Sequence, residues 1–270
     1  MLWNKARRSD HVLDTRESSS PRSGINRKIA AGMGIAALAA IGLLGKDLLP
    51  HDTPEDDRSR AFVESILGDT EEAWTQLLEP LGQAYPNPSL TLFDNGVVSG
   101  CGFASSAIGP FYCTADQQIF LDLTFFDEMA RQYSVVGDFA QAYIIAHEVG
   151  HHVQNVLGLT KPLDDALDAR QSVDGDGGLH VRGELQADCL AGVWAQHAQQ
   201  RLNWLEPGDI EAALHAATVF GDDYLQRNQT AALLPETFTH GTSAQRMHWF
   251  NVGFTQGRLD QCDTFAAEPL

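Results

Sequence analysis

The chain is short of positive charge. Its 270 residues include 18 Lys and Arg against 36 Asp and Glu, which gives a formal net charge of −18 at pH 7. Residues 1–28 alone have seven basic and three acidic side chains, so the rest of the chain holds a net charge of −22. Because such a surface repels nucleic acid and anionic lipid, we expect no nucleic-acid partner.

Repeats of fixed period and long low-complexity tracts are also missing, which argues against a solenoid and against a disordered scaffold. Apolar residues make up 43% of the chain, which is enough for a sizeable core. Once the N-terminal segment is set aside, roughly 200 residues remain, a length that suits one domain. The sequence therefore predicts one globular domain over residues 58–270.

Residues 29–45, "IAAGMGIAALAAIGLLG", contain no charged side chain and directly follow Arg27 and Lys28. As a helix this segment would be about 26 Å long, just enough to cross the hydrocarbon core of a bilayer. It predicts a single transmembrane anchor. A buried helix and a cleavable signal peptide are the alternatives, although the cleavage-like Ala37–Ala39 lies inside the apolar run.

The charges that flank this segment predict its orientation. Positive residues stay on the cytoplasmic side, so residues 1–28 would form a basic cytoplasmic segment. The polar residues 46–57, which include two prolines, would form a linker. This interpretation predicts a single-pass protein of the inner (plasma) membrane, with its domain outside the cytoplasm.

Cysteine is scarce, and the four residues Cys101, Cys113, Cys189 and Cys262 all follow the apolar segment. An even number is compatible with disulfides in an extracytoplasmic compartment. Three pairings are possible. One bridge easily closes the Gly-rich loop between Cys101 and Cys113, which would leave Cys189 with Cys262, whereas four reduced, buried thiols are the alternative.

Helical spacing of apolar residues predicts four helices in the domain. They cover about Arg58–Leu81, Asp138–Leu157, Leu179–Leu202 and Pro207–Asn228. Two runs with β-like character, Ser89–Val98 and Gln117–Phe126, lie on either side of the cysteine loop. The pattern predicts a mainly helical α+β domain with a small antiparallel sheet.

The stretch "AHEVGHHVQN", residues 146–155, concentrates three histidines and one glutamate. Asp138 is a suitable N-cap and Gly158 a suitable stop for a helix that includes this stretch. An apolar stripe on that helix faces away from His147 and His151, which are four residues apart on one face. The stripe can therefore pack in the core while both imidazoles face a cleft.

Two neutral imidazoles on adjacent turns suit zinc, and His147, Glu148 and His151 form the H-E-x-x-H pattern. Glu148 lies at the edge of the same face, where its carboxylate can accept a proton from water activated by the metal. His152 is rotated too far round the helix to join the same site. The motif alone is suggestive, since chance gives it in roughly one chain in a hundred of this length.

A catalytic zinc needs a third protein ligand, and "ELQAD", residues 184–188, offers one on the next predicted helix. Glu184 and Asp188 are four residues apart on one face. Glu184 can then complete a site with two histidines while Asp188 holds the free ring nitrogen of a ligand histidine. Standing alone, this segment is typical of a solvated acidic face, but its pairing with H-E-x-x-H favours the ligand interpretation.

Four motifs follow one another along the chain: "CGFASSAIGPFYC", "HEVGHH", "ELQADCLAGVWA" and "FTHGTSAQRMHWFNVGF". Together they resemble the neutral zinc metallopeptidases of bacterial membranes over about Ala61–Phe265, and the pairing of H-E-x-x-H with E-x-x-x-D resembles the wider gluzincin proteases. The resemblance implies a zincin-like peptidase fold with one zinc ion (Zn²⁺) per chain. The residues it implies for the site are the ligands His147, His151 and Glu184, the general base Glu148 and the supporting Asp188.

The C-terminal segment "THGTSAQR", residues 239–246, holds His240 and Arg246. Gluzincins commonly place a His, Tyr or Arg from the C-terminal half opposite the zinc, where it stabilises the oxyanion, and these two residues are similar in position. We therefore predict His240 as a catalytic residue. A capped turn into a helix, with Arg246 paired to a carboxylate, is the alternative.

These features predict a membrane-anchored zinc endopeptidase that hydrolyses peptide bonds in a peptide or protein substrate. An extended substrate would pair with an exposed strand, for which Gln117–Leu123 is the candidate. A non-catalytic extracytoplasmic scaffold that keeps zinc for folding is the competing interpretation, and a zinc hydrolase of other substrates is a third. A structural zinc normally has four protein ligands, so three ligands and a base at Glu148 argue against the scaffold.

Overall fold

The structure, a computed structural model, describes residues 1–16, 54–229 and 232–270. Over these ranges the fold is mainly helical, with small sheets. The α-helices are α1 (Pro54–Leu78), α2 (Thr124–Tyr133), α3 (Asp138–Leu157), α4 (Lys161–Asp168), α5 (Leu179–Leu202), α6 (Asp209–Val219), α7 (Asp222–Gln229) and α8 (Ser243–Gln256). The β-strands are β1 (Val12–Asp14), β2 (Ser89–Leu92), β3 (Gly96–Ser99), β4 (Gly102–Ser105), β5 (Phe111–Cys113) and β6 (Gln118–Leu121).

Helices α3 and α5 have the predicted bounds, and their C-terminal ends are strongly marked. Asp138, the predicted N-cap of α3, is instead its first helical residue, and Gly137 lies at the N-cap. Gly158 after α3 and Asn203 after α5 both adopt the left-handed conformation that ends a helix. The helix predicted over Pro207–Asn228 is instead two helices, α6 and α7, that are separated at Gly221. A Cβ on Gly221 would lie 2.4 Å from the backbone nitrogen of Ser243, so the chain turns where the start of α8 packs against it.

Side-chain hydrogen bonds that the apolar pattern did not reveal hold the starts of two further helices. Helix α2 begins inside the predicted β-like run Gln117–Phe126, because the Asp122 carboxylate accepts hydrogen bonds from the backbone and side chain of Thr124. Helix α8 begins with a capping box formed by Thr242 and Gln245. Local polar groups therefore override β-propensity at the first of these positions.

The main sheet is mixed, so the predicted antiparallel sheet is only partly correct. Its strand order is β1, β2, β6, β5, with parallel pairing from β1 to β6 and antiparallel pairing of β5 with β6. Strands β3 and β4 form a separate antiparallel hairpin. Strand β1 joins β2 from far away in the sequence, a pairing that local patterns cannot predict.

The N-terminal arm, residues 1–16, is part of the domain. Besides the β1 pairing, the indole nitrogen of Trp3 donates to Asp138 at the start of α3 over 3.1 Å. The carboxylate of Glu71 on α1, which is buried, accepts hydrogen bonds from Ser9 Oγ at 2.5 Å and His11 Nδ1 at 2.8 Å. The arm therefore supplies partners to a buried charge.

These contacts require a correction of the predicted membrane topology. That topology placed residues 1–28 and the domain on opposite sides of a membrane, whereas the arm forms a strand of the domain's own sheet. Residues 29–45, the predicted anchor, lie outside the described residues. Among the residues that the structure does describe, no helix is long and apolar enough to cross a bilayer. The predicted single-pass inner-membrane localisation is therefore wrong.

A Ser9→Ala substitution should lower the free energy of unfolding by about 1–2 kcal/mol, because the buried Glu71 carboxylate loses a donor. Urea unfolding measures this change, and Asp10→Ala on the exposed side of the arm is the matched control. An unchanged midpoint for Ser9→Ala would show that the arm does not pack on the domain in solution.

Both predicted disulfides are present, the one across the short loop and the one between the two remaining cysteines. Cys101, in the turn between β3 and β4, is bonded to Cys113 at the end of β5. Cys189 on α5 is bonded to Cys262, which follows α8. The first bridge fixes the hairpin to the sheet, and the second fixes the C-terminal segment to the central helix.

Candidate metal centre

Helices α3 and α5 pass close together at the H-E-x-x-H motif. A Cβ on Gly150 would lie 2.9 Å from the carbonyl oxygen of Ala187, a distance that side chains do not tolerate. Glycine at this position therefore allows the two backbones to approach. The approach brings the motif histidines of α3 opposite the acidic side chains of α5.

The three predicted metal ligands lie together. Nε2 of His147 is 3.1 Å from Glu184 Oε2, and Nε2 of His151 is 3.6 Å from Glu184 Oε1. One ligand atom from each residue lies within 4.8 Å of the other two, and the described residues contain no other group of this kind. Two imidazole nitrogens and one carboxylate oxygen are a donor set that suits zinc.

Hydrogen bonds orient both imidazoles so that Nε2 faces Glu184. Nδ1 of His147 donates to Asp188 Oδ1 over 2.8 Å, because a carboxylate only accepts. Nδ1 of His151 lies 2.9 Å from Gln154 Oε1. The amide nitrogen of Gln154 donates to the carbonyl of Gly183, so its oxygen must face the imidazole. Each Nε2 lone pair is thereby left for a metal ion.

The electrostatics of this cluster favour a positive charge between the carboxylates. Burial alone would lower the pKa of His147, but the carboxylates of Asp188 and Glu184 outweigh it and raise that pKa to about 10. Burial would raise the pKa of Glu184, yet the nearby imidazoles, above all that of His151, hold it well below its ordinary value. The cluster therefore stabilises a cation, whether proton or metal ion.

Asp188 is fully buried and connects the candidate metal ligands to helix α8 through hydrogen bonds. Its carboxylate accepts from Arg246 Nε at 2.8 Å and from the Tyr143 hydroxyl at 2.5 Å, in addition to His147. Burial opposes ionisation, but Arg246 and His147 hold the pKa of Asp188 far below its usual range. Arg246 is thus paired to a carboxylate, which was the alternative to an oxyanion role.

The Glu148 side chain is accessible from the cleft. It lines the cleft beside both histidine ligands, and 8% of the residue is exposed. Within the described ranges its carboxylate accepts no hydrogen bond from another side chain, in contrast to Glu184 and Asp188. This carboxylate can therefore exchange a proton with a molecule in the cleft.

His240 lies on the same cleft, on the loop before α8. Its imidazole is 52% exposed, and its charge contributes to the lowered pKa of Glu184. The loop is held by Asp222 at the start of α7, whose Oδ2 accepts from the backbone nitrogens of Thr239, His240 and Gly241. Asp222 was not predicted as a site residue, although an acidic residue after Gly221 is a recognisable helix start.

His152, the third histidine of the motif, points away from the metal cluster, as its rotation on the helix predicted. Its Nε2 donates to the carbonyl of Pro86 over 2.7 Å, so Nδ1 accepts from the Tyr112 hydroxyl at 3.0 Å. Tyr112 belongs to β5 and lines the cleft. His152 therefore fixes the cleft wall to helix α3.

The cleft has a volume of about 880 Å³ and runs between α3, α5 and β5. Its lining includes the apolar and aromatic side chains of Phe111, Phe125, Met129 and Phe220. The candidate ligands and Glu148 line the same cleft. A pocket of this size accommodates several residues of an extended peptide.

A family model described as "Putative neutral zinc metallopeptidase" matches residues 48–265. The chain belongs to this family. It is 41% identical over 285 residues to the uncharacterised protein YpfJ of Escherichia coli K12, an alignment that covers 98% of this chain and 99% of YpfJ. It is 42% identical over 236 residues to the uncharacterised protein Rv2575 of Mycobacterium tuberculosis H37Rv, covering 84% of this chain and 78% of that protein. No solved structure matches the chain.

As a member of the zinc metallopeptidase family, the chain should lose metal affinity when Asp188 is changed. Asp188→Asn should weaken zinc binding about 10 to 100-fold, because His147 loses the partner that orients it. It should also lower the free energy of unfolding by about 3 kcal/mol, since Arg246 stays buried without its counter-charge. Competition with a chromophoric chelator measures the first effect and urea unfolding the second. Asp174→Asn, which changes an exposed carboxylate, is the control, and equal zinc affinity in both variants would contradict the prediction.

Proposed function

We propose that the protein is a zinc-dependent endopeptidase, in which His147, His151 and Glu184 hold one zinc ion. The single observation that carries this proposal is the position of Glu148, which follows a ligand on α3 and opens to the cleft. A base at that place serves hydrolysis and adds nothing to the binding of the ion. The family to which the chain belongs supports the same conclusion.

The chemistry divides between the ion and the side chains. When bound, zinc acts as a Lewis acid that polarises a carbonyl and lowers the pKa of water towards neutrality. Glu148 accepts a proton from the attacking water and returns it to the leaving amine. His240, which lines the same cleft, stabilises the oxyanion. Asp188, held by Arg246, keeps His147 in the tautomer that exposes Nε2.

The strand that we propose for the substrate is β5, in place of the predicted Gln117–Leu123. The candidate Gln117–Leu123 contains β6, which lies between β2 and β5 and therefore has no free edge. Strand β5 is the last strand in the described sheet, and its residues Phe111 and Tyr112 line the cleft. An extended peptide that adds to β5 would lie along the cleft beside Glu148, with main-chain hydrogen bonds that require no particular sequence.

The scaffold alternative receives less support. A structural zinc site is normally closed by four protein ligands, whereas three candidate ligands lie together here among the described residues. The cluster is also open to a cleft of about 880 Å³, which a purely structural site does not need.

The test of the proposed function combines metal analysis with a peptide library. The full chain is used because the N-terminal arm packs on the domain. We expect about one zinc per chain, cleavage of internal peptide bonds, loss of cleavage after chelation and its return with added zinc. A zinc-loaded chain that cleaves no peptide in the library would contradict the proposal.

His240→Ala should lower kcat for peptide cleavage about tenfold, a smaller effect than a buried oxyanion donor gives, because the side chain is half exposed. KM should change little, since the interaction arises in the transition state. His248→Ala, on an exposed position of α8, is the control. Unchanged kcat for His240→Ala would remove His240 from the mechanism.

A further inference from the structure

We propose that the outer face of the β3–β4 hairpin is a second contact surface for the substrate, one that binds apolar polypeptide segments extending beyond the cleft. We define this outer hairpin face by Val98, Phe103 and Ile108. The inference rests on the proposed function and deepens it: the preferred substrates are long, unfolded polypeptides with apolar segments.

The hairpin has two faces of different character. Val98 and Phe103 are opposite each other in the register of β3 and β4, and they are 79% and 74% exposed. On the other face, Val97 packs against the small apolar cluster of Phe93, Cys113 and Phe120. A large aromatic and a β-branched side chain are thus held in water as a cross-strand pair, although a serine or threonine would suit the strand equally well.

One residue of the outer hairpin face, Ile108, also lines the cleft. Ile108 lies just after β4 and is 60% exposed. The disulfide between Cys101 and Cys113 fixes the hairpin turn to β5, the strand to which a substrate would add. A peptide that leaves the cleft at Ile108 can therefore continue over Phe103 on a rigid surface.

Charge identifies the occupant as an uncharged, apolar polypeptide. Residues 95–115 contain no charged side chain, whereas the whole chain has a net charge of −18. Val98, Phe103 and Ile108 offer no charge to a basic or acidic partner, and the Asp116 carboxylate at the hairpin turn accepts the backbone N–H of Gly100. The acidic remainder of the chain repels an anionic membrane and a second copy of the chain. An apolar segment of an unfolded polypeptide has no such repulsion and gains from burial against these side chains.

The experiment compares the binding of two fluorescent peptides to the full-length Glu148→Gln chain, which should hold a substrate without cleaving it. One peptide is a good library substrate with an apolar extension, and the other has a Gly-Ser extension of equal length. By fluorescence anisotropy, the apolar extension should tighten binding about tenfold, the gain expected from partial burial of two large side chains. Changing Val98→Ser together with Phe103→Ser should remove that gain and leave the Gly-Ser peptide unaffected.

Leu81→Ser is the matched control, because Leu81 is 59% exposed and lies outside the cleft and the hairpin. The proposal is wrong if the hairpin variant keeps the tenfold difference. It is also wrong if that variant instead loses co-sedimentation with phosphatidylcholine vesicles or shifts the oligomeric state. If the wild-type chain cleaves no peptide, the proposed function fails. The apolar extension is then used alone as the probe. If this extension binds the wild-type chain but not the hairpin variant, the contact surface is still supported.

Discussion

A His151→Ala chain should purify without zinc, while the wild-type chain should hold about one ion. The reason is the small number of donors: one ligand atom from each of three residues lies within 4.8 Å, so removal of one imidazole leaves two. Two protein ligands do not hold zinc against the chelators used in purification. Peptide cleavage should disappear together with the metal.

His151 is a cleaner test than His147. The His147 imidazole is buried against Asp188, so its removal also disturbs the carboxylate that pairs with Arg246. The His151 side chain is 21% exposed, and among the described residues its ring nitrogen Nδ1 hydrogen-bonds only to Gln154, which is on the same helix. Far-ultraviolet circular dichroism should therefore be unchanged. His248→Ala should keep its zinc, and full zinc occupancy in the His151 variant would overturn the ligand assignment.

The parts of this site that follow from one helix could be predicted from the sequence. His147, Glu148 and His151 are placed by the helical repeat alone, and Gly158 marked the end of α3. The predicted N-cap signal was wrong in detail, because Gly137 lies at the N-cap and Asp138 is the first helical residue. Glu184 was predicted from its pairing with H-E-x-x-H and from the family resemblance, whereas the distance between its helix and the histidines was not. That distance depends on Gly150, whose small size permits the approach of α5, and no periodicity reveals it.

Non-local contacts account for what the sequence did not predict. Strands β1 and β2 pair although residues 15–88 separate them in the sequence. No local pattern reveals this pairing, so the basic N-terminus was predicted to be separate from the domain. The edge strand was misassigned because β5 has three residues, too few for an alternating pattern. Gln154, which orients His151, is three residues beyond it on the same helix and could have been found by asking what holds each ligand.

Glu148→Gln should separate the two main interpretations of this protein. The substitution keeps the size and polarity of the side chain but removes the base, so peptide cleavage should fall at least about a hundredfold. Zinc content and the free energy of unfolding should both equal the wild-type values. The reason is that Glu148 is not among the clustered ligands and that no described side chain donates a hydrogen bond to it. Cleavage of a library peptide and metal analysis are measured on the same preparation.

Glu184→Gln is the matched control, because it makes the same chemical change at a proposed ligand. This variant should lose zinc and activity together, since a neutral amide is a weaker ligand and no longer balances the imidazoles. If Glu148→Gln also loses its zinc, then Glu148 is itself a ligand and the roles are misassigned. If it cleaves peptides at the wild-type rate, the hydrolysis comes from another site. The Glu148 carboxylate, which is the feature that argues for an enzyme, would then have no effect on the reaction. The scaffold interpretation would therefore explain the zinc site better.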